Sequence, residues 1–116
     1  MCGPLLFQRR APAAYNPKDK VKRILRMVAK DYHLDSEALI GKSRFHTVSL
    51  ARHEAMYLVR LCTALSYPEI ARHFGGRDHT TIISAYRRIQ RLANLDSHYS
   101  RKLGQQLIAL QQEERS

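Results

Sequence analysis

Apolar residues near the start of the chain recur at spacings of three and four, which is the period of an α-helix. Asn16 and Pro17 precede this stretch and favour a helix start, because an Asn side chain accepts from free amides and Pro has no donor to lose. The predicted apolar stripe consists of Val21, Ile24, Leu25, Val28, Ala29 and Tyr32. The pattern therefore predicts an amphipathic helix from about residue 17.

Two further helices are predicted on either side of a basic connector, residues 42–46 (KSRFH). The segment from Asp35 to Gly41 is typical of a short helix with an acidic start and a glycine stop. After the connector, Thr47 or Ser49 is expected to cap a longer helix that runs to about Leu65. Its inward residues would be Ala51, Ala55, Leu58, Val59, Cys62 and Leu65. Its opposite face would carry Arg52, His53 and Arg60.

A short capped helix, a glycine turn and a second capped helix follow in close succession. Residues 66–69 (SYPE) match the S-x-x-E capping box, and Pro68 is tolerated in a first helical turn. The Gly-Gly pair at residues 75–76 is expected to end this helix, because glycine adopts the left-handed conformation common at helix ends. Asp78 then caps the next helix. The inward residues of the first helix would be Ile70, Ala71 and Phe74. The second helix carries six apolar residues, some of which must be exposed: Ile82, Ile83, Ala85, Tyr86, Ile89 and Leu92.

The last apolar pattern runs from about Ser97 to Gln112 and predicts one more amphipathic helix. Its apolar residues are Leu103, Leu107, Ile108 and Leu110. Residues 1–15 show no apolar period and are predicted to form a flexible arm. Since no segment alternates as a strand does, the chain is predicted to be a compact all-α domain of about five to six helices over residues 16–116.

The charge of the chain predicts a polyanionic partner. Lys and Arg number 20 against 10 acidic residues, which gives a formal net charge of +10. Nucleic acid and an anionic membrane surface both fit such an excess. The apolar stripe of the first helix is needed for the core, so nucleic acid is favoured. No apolar run is long enough to span a bilayer and no signal peptide is evident, so a cytoplasmic location is expected.

No residue pattern indicates catalysis, a metal or a cofactor. Cys2 and Cys62 are the only thiols and form no metal-binding motif, and Cys62 is expected to be a small core residue. The histidines lack H-E-x-x-H spacing, and no nucleophile elbow is present. We therefore expect a binding protein and not an enzyme.

The capped helix pair and its glycine turn match the outline of a helix-turn-helix, whose second helix enters the major groove of DNA. The first residues of that helix are the ones that reach base edges. Here they are Arg77, Asp78, His79, Thr80 and Thr81, all able to form hydrogen bonds. Asp78 can accept from the amino group of cytosine, which favours sequence-specific reading over non-specific binding.

The motif I-A-x-x-F-G-G-R-D-H-T-T-I-I-x-A-x-x-R-I, residues 70–89, closely resembles the signature of the C-terminal DNA-binding domain of the bacterial replication initiator DnaA. A looser similarity extends over roughly residues 18–112. The resemblance implies an all-α fold of the Trp-repressor and DnaA domain IV type. It also implies binding to double-stranded DNA at sites like the DnaA box.

The resemblance assigns roles to individual residues of this chain. The residues matching Asp78, His79 and Thr80 contact bases in the major groove, and the one matching Thr81 supports the phosphate backbone. Arg44 matches an arginine that enters the adjacent minor groove, for which the narrow, negative groove is physically suited. Further contacts, mostly to the phosphate backbone or a thymine methyl group, are implied for Arg52, His53, Arg60, Pro68 and Ile83. Arg77 begins the reading segment.

The chain departs from the family pattern in its connector. Phe45, His46 and Leu50 stand where basic residues are common, and His53 stands where Gln is frequent, so affinity or site preference is expected to differ. A full initiator also carries an ATPase domain, whereas this sequence contains no G-x-x-x-x-G-K-[ST] loop. ATP hydrolysis is therefore not expected of this chain.

Three biological roles are compatible with these residues. The first is a factor that acts in or regulates replication initiation at DnaA boxes. The alternatives are a transcription regulator with the same domain and an accessory protein that contacts the initiator itself. We expect a monomeric, nucleoid-associated protein from a bacterium or a phage, with double-stranded DNA as its partner and no cofactor.

Overall fold

A computed structural model describes residues 16–115, with side chains through residue 112. All secondary structure in this range is helical, which confirms the predicted all-α class. The six helices are α1 (Pro17–Asp31), α2 (Ser36–Ile40), α3 (His46–Cys62), α4 (Tyr67–His73), α5 (His79–Leu95) and α6 (Ser97–Arg115). The predicted arm at residues 1–15 lies outside the described residues.

Helix α3 is the central element of the fold. It packs against α1, α2, α4 and α5, so its buried residues contribute to most of the core. The predicted stripe of α1 is confirmed, because its five aliphatic residues are buried and Tyr32 packs against them. The largest fully buried side chains include Ile24, Leu39, Met56, Leu58, Ile70, Phe74, Ile82, Ile89 and Leu110.

The bounds of α3 differ from those predicted at both ends. The helix begins at His46, and the residue before it, Phe45, makes no side-chain cap, so the expected caps at Thr47 and Ser49 are wrong. The helix ends at Cys62 and not near Leu65. The Thr63 hydroxyl donates to the Val59 carbonyl at 2.7 Å and accepts from the Leu65 amide at 3.3 Å, which favours the end of the helix here.

Helix α6 follows α5 after a single residue. Asp96 separates them and accepts hydrogen bonds from the backbone amides of His98 (3.0 Å) and Tyr99 (3.2 Å), so it caps α6. Leu103 and Leu110 are buried as predicted. Ile108 is 55% exposed, so its place in the predicted apolar pattern is wrong, since it lies on the side of the helix nearly opposite to the buried face that contains Leu103, Gln106 and Leu110.

A buried carboxylate on α3 ties the first and last helices together. Glu54 is fully buried, and its Oε1 accepts from the hydroxyls of Tyr32 and Tyr99, both at 2.8 Å. Lys102 Nζ lies 3.3 Å from the same oxygen, and Gln106 Nε2 donates to Oε2 at 2.9 Å. Nothing in the sequence analysis indicated this cluster, which fixes α6 to the rest of the domain.

The tyrosines of this cluster serve as hydrogen-bond donors. Burial raises the pKa of both Tyr32 and Tyr99, and the nearby Glu54 carboxylate adds to this effect. Both phenols therefore keep their protons at neutral pH. At that pH both hydroxyls can donate to the Glu54 carboxylate.

We predict that Glu54→Ala lowers the free energy of unfolding by about 3 kcal/mol, because it removes the buried acceptor shared by two hydroxyls, the Lys102 ammonium and the Gln106 amide. Urea denaturation followed by circular dichroism measures this loss. Glu37→Ala removes an exposed glutamate of α2 and is the matched control, with an expected change below about 1 kcal/mol. Equal effects of the two substitutions would show that the cluster contributes little to stability.

Candidate nucleic-acid interface

Helix α4 begins at the capping box that the sequence predicted. The Ser66 hydroxyl accepts from the Glu69 amide at 3.3 Å, and the Glu69 carboxylate accepts from the Ser66 amide at 2.9 Å. Pro68 occupies the first turn and is exposed. These two bonds satisfy amides that a helix start otherwise leaves unpaired, so α4 begins sharply after α3.

The turn between α4 and α5 depends on two glycines. Gly75 and Gly76 have φ angles of 81° and 74°, as predicted from their position. The Gly76 amide donates to the Ala71 carbonyl at 3.1 Å, which closes the end of α4. Phe74 immediately before them is fully buried and anchors the turn to the core.

The first turn of α5 presents polar side chains to solvent. Asp78 caps the helix by accepting from the Thr80 amide at 3.2 Å, and this bond lowers the pKa of its carboxyl. The Asp78 side chain is nevertheless 68% exposed, and the adjacent His79 side chain is 53% exposed. Thr80 is also exposed, and Thr81 is half-buried. Three of the predicted reading residues are therefore accessible to a ligand.

Two arginines hold the connector beside this helix start. Arg52 is only 6% exposed, so its predicted place on the outer face of α3 is wrong. Its guanidinium donates to the carbonyls of Leu39 (2.8 Å), Ala38 (3.3 Å) and Ser43 (3.0 Å).

Arg77 holds the end of α2, immediately before the connector. Its guanidinium donates to the Ile40 carbonyl at 3.0 Å and also bonds the carbonyls of Gly41 and Phe74. The side chain is half-buried between the turn and the end of α2. The base contact expected of Arg77 stays a prediction, and in the structure its guanidinium instead bonds three backbone carbonyls.

A basic cleft of about 320 Å³ lies between the connector and the start of α5. It is lined by Lys42, Ser43, Arg44, Arg52, His53, Arg77 and Thr81. Four of these seven residues are Lys or Arg and none is acidic. The fold thus brings together residues from three segments of the sequence, namely the connector, α3 and the start of α5 with the turn before it. Arg44 is exposed at the edge of this cleft.

His53 connects the cleft to the middle of α5. Its Nδ1 lies 3.0 Å from Nη1 of Arg88, which requires the neutral ring to accept. Burial lowers the pKa of His53 to about 4, and the cations of Arg88, Arg52 and Arg77 contribute to the shift. Since the ring is neutral at pH 7, its other nitrogen is left as a donor.

The remaining predicted contacts lie around α4. Arg60 stacks over the Tyr67 ring, 4.2 Å from its centroid, and donates to the Leu65 carbonyl at 3.0 Å. Ile83 is half-buried on α5. Tyr57 of α3 packs on Tyr86 of α5, with ring centroids 4.9 Å apart. The contacts of Arg60 with Tyr67 and with the Leu65 carbonyl hold its side chain near the start of α4.

Sequence reasoning did not find the role of Arg88 or the carbonyl contacts of Arg52. Arg88 belongs to the signature quoted above, and that was the only signal available. Its partner His53 is 35 residues away in sequence, so no local pattern reveals the pair.

Across the described part of the chain, no cluster of three or more His, Cys, Asp or Glu side chains could hold a metal ion. None of the described helices combines the length and apolar character needed to cross a membrane.

The two capped helices, their left-handed glycine turn and the exposed start of α5 define a helix-turn-helix domain. Residues 21–89 match the family described as bacterial dnaA protein helix-turn-helix. The chain belongs to this family.

Known proteins extend this similarity beyond the motif. The chain is 40% identical over 84 residues to the chromosomal replication initiator protein DnaA of Brucella abortus, covering 72% of this chain and 17% of that protein. It is 48% identical over 77 residues to DnaA of Xanthobacter autotrophicus, covering 66% of this chain and 15% of that protein.

A solved structure of a DNA replication initiation factor matches 81% of this chain and 29% of that chain, with a TM-score of 0.73 and 32% identity. This match confirms the fold that the sequence resemblance implied. The chain spans less than a fifth of the length of the two initiators compared above.

The two turn glycines give a matched pair of substitutions. Gly76→Ala adds a Cβ with no atom within 4 Å, so only the left-handed φ is penalised, by about 1 kcal/mol. Gly75→Ala also places its Cβ 3.0 Å from the Ile40 carbonyl oxygen, so we expect a loss of about 2 kcal/mol or more. Urea denaturation of both variants measures the difference, and equal losses would contradict the close approach of Gly75 to Ile40.

The low pKa of His53 predicts a dependence of stability on pH. Between pH 6.5, the ordinary His value, and about 4, the unfolded chain binds a proton at residue 53 that the folded chain does not. Stability from this group is therefore present above pH 6.5 and is lost as the pH falls through this window.

His53→Gln removes this titration, and its free energy of unfolding should fall less between pH 7 and 5 than that of the wild type, by about 1 kcal/mol after allowance for solvent screening. His98→Gln replaces an exposed histidine of α6 and serves as the control. If the His53→Gln variant loses as much stability on acidification as the wild type, the assignment of a neutral buried ring is wrong.

Proposed function

We propose that this protein binds double-stranded DNA with sequence specificity, at sites like the DnaA box, and acts in chromosomal replication initiation or its regulation. The observation that supports this most directly is the exposed start of α5 beside a basic cleft without acidic residues. Family membership and the names of the relatives are consistent with it.

The first turn of α5 carries the proposed base contacts. A helix enters the major groove, about 12 Å wide, with its amino end leading, so Asp78, His79 and Thr80 would meet base edges. The Asp78 carboxylate can accept from a cytosine amino group while still capping the helix. The free amides and dipole of the helix start also favour a nearby phosphate.

The surrounding cations carry the proposed backbone and minor-groove contacts. Arg44 would enter the adjacent minor groove, since it projects from the connector at the edge of the cleft. The ring nitrogen of His53 that does not face Arg88, together with Arg60, Pro68 and Thr81, would contact phosphate or sugar. Ile83 would contact a thymine methyl group in the major groove. A phosphate in the cleft would also relieve the mutual repulsion that contributes to lowering the pKa of Arg52 and His53.

Arg52 and Arg77 would support DNA binding chiefly by positioning other residues. Arg52 bonds the Ser43 carbonyl of the connector, and Arg77 bonds the carbonyls of Ile40 and Gly41 just before it, so the two side chains fix the position of Arg44 relative to the start of α5. The loss of either side chain is therefore expected to weaken binding to all duplexes. It would act through the placement of other groups.

Selection of bound duplexes from a random pool tests the proposed specificity. A recovered motif related to the DnaA box supports it, and recovery of unrelated sequences would contradict it. Binding should occur with one chain per site, which sedimentation of the complex can measure.

We predict that His79→Ala and Thr80→Ala each reduce the discrimination between a DnaA box and a scrambled duplex by about 1–3 kcal/mol, the value of a lost base contact. Fluorescence anisotropy at fixed salt measures both affinities. Arg101→Ala is the control, because Arg101 is exposed on α6, which begins after the far end of α5, and α5 is about 25 Å long. Unchanged discrimination in both variants would contradict the assigned reading end.

A further inference from the structure

A large aromatic side chain is left in solvent in the middle of the basic connector. Phe45 is 78% exposed, whereas Phe74 in the adjacent turn is fully buried. The start of α3 does not use the Phe45 side chain as a cap. Its exposure therefore serves neither the core nor the helix start.

The backbone that carries Phe45 is firmly held. The Phe45 amide donates to the Ser43 hydroxyl at 3.3 Å, and its carbonyl accepts from the Ser49 amide at 2.8 Å. Arg52 fixes the Ser43 carbonyl at 3.0 Å. Because the backbone here is already fixed, a contact through Phe45 costs little further backbone freedom, so Phe45 is well placed to contact a ligand.

The neighbours of Phe45 indicate the chemistry of that ligand. Lys42 and Arg44 lie in the same connector, and the cleft next to it contains no acidic residue. The ligand must therefore offer negative charge for the cations and apolar surface for Phe45. A DNA duplex offers both, because its phosphates attract the cations and the sugar walls of its grooves are partly apolar. Apolar side chains are known to enter minor grooves next to basic ones.

We infer that Phe45 enters the minor groove beside Arg44 and packs against the deoxyribose walls as an uncharged affinity determinant. This inference rests on the proposed DNA-binding function. It assigns a role in binding to a residue at which the chain departs from the basic pattern of its family.

The first test compares Phe45→Ala with Phe45→Leu in binding to the selected duplex. Phe45→Ala should raise Kd about tenfold, whereas Phe45→Leu keeps an apolar side chain and should recover most of the affinity. Leu95→Ala is the matched control, because Leu95 is 80% exposed at the far end of α5 and its loss should leave Kd unchanged. Melting temperatures of all three variants should equal that of the wild type.

The salt dependence separates this contact from an electrostatic one. Phe45→Ala should leave the slope of log Kd against log salt unchanged, whereas Arg44→Ala should reduce it by about one released counterion. A reduced slope for Phe45→Ala would overturn the inference, because it would show that the substitution acts through nearby cations.

A modified duplex tests the groove. Replacing adenine by 2,6-diaminopurine adds an amino group to the minor groove and leaves the major-groove edge intact. The penalty of Phe45→Ala should shrink on this duplex, and an equal penalty on both duplexes would overturn the minor-groove assignment. Unchanged Kd for Phe45→Ala overturns the inference alone, whereas a wild-type chain that binds no duplex overturns the proposed function and this inference with it.

Discussion

The arrangement of the proposed interface depends on hydrogen bonds from two arginine side chains to backbone carbonyls. Arg52 and Arg77 together engage the carbonyls of residues 38–41 and 43, which a short helix and an irregular connector leave unpaired. The planar, multiply donating guanidinium suits this task, and a lysine could not match it. The fixed connector then holds Arg44 in the same cleft as Thr81 of α5, which gives the proposed interface one continuous face.

A second buried charge stabilises the opposite side of the molecule. Glu54 collects donors from α1 and α6, so α6 is bound to the domain through the same central helix that supports the connector. Burying a carboxylate is costly unless its lone pairs are satisfied, and four donors satisfy it here. Two residues of α3 therefore join opposite sides of the domain to the same helix. Arg52 holds α2 and the connector, and Glu54, two positions later, holds α6 and the end of α1.

Features with local signals could be predicted from the sequence. The Asn16, Ser66 and Asp78 caps and the glycine turn each depend on residues a few positions apart, and each is confirmed. The buried position of Arg52, the Glu54 cluster and the His53–Arg88 contact could not be predicted, because their partners lie 9 to 52 residues away and no alternation of apolar positions marks them. Ile108 was misplaced since apolar identity alone does not fix the angle at which a residue meets the core.

Chemical-shift mapping of the labelled chain with a duplex from the selected pool tests the central claim most directly. The account predicts that the largest changes in amide signals fall on residues 42–46 and 77–83, with small changes along the exposed face of α6. Changes concentrated on α1 or α6, with residues 78–81 unaffected, would contradict it.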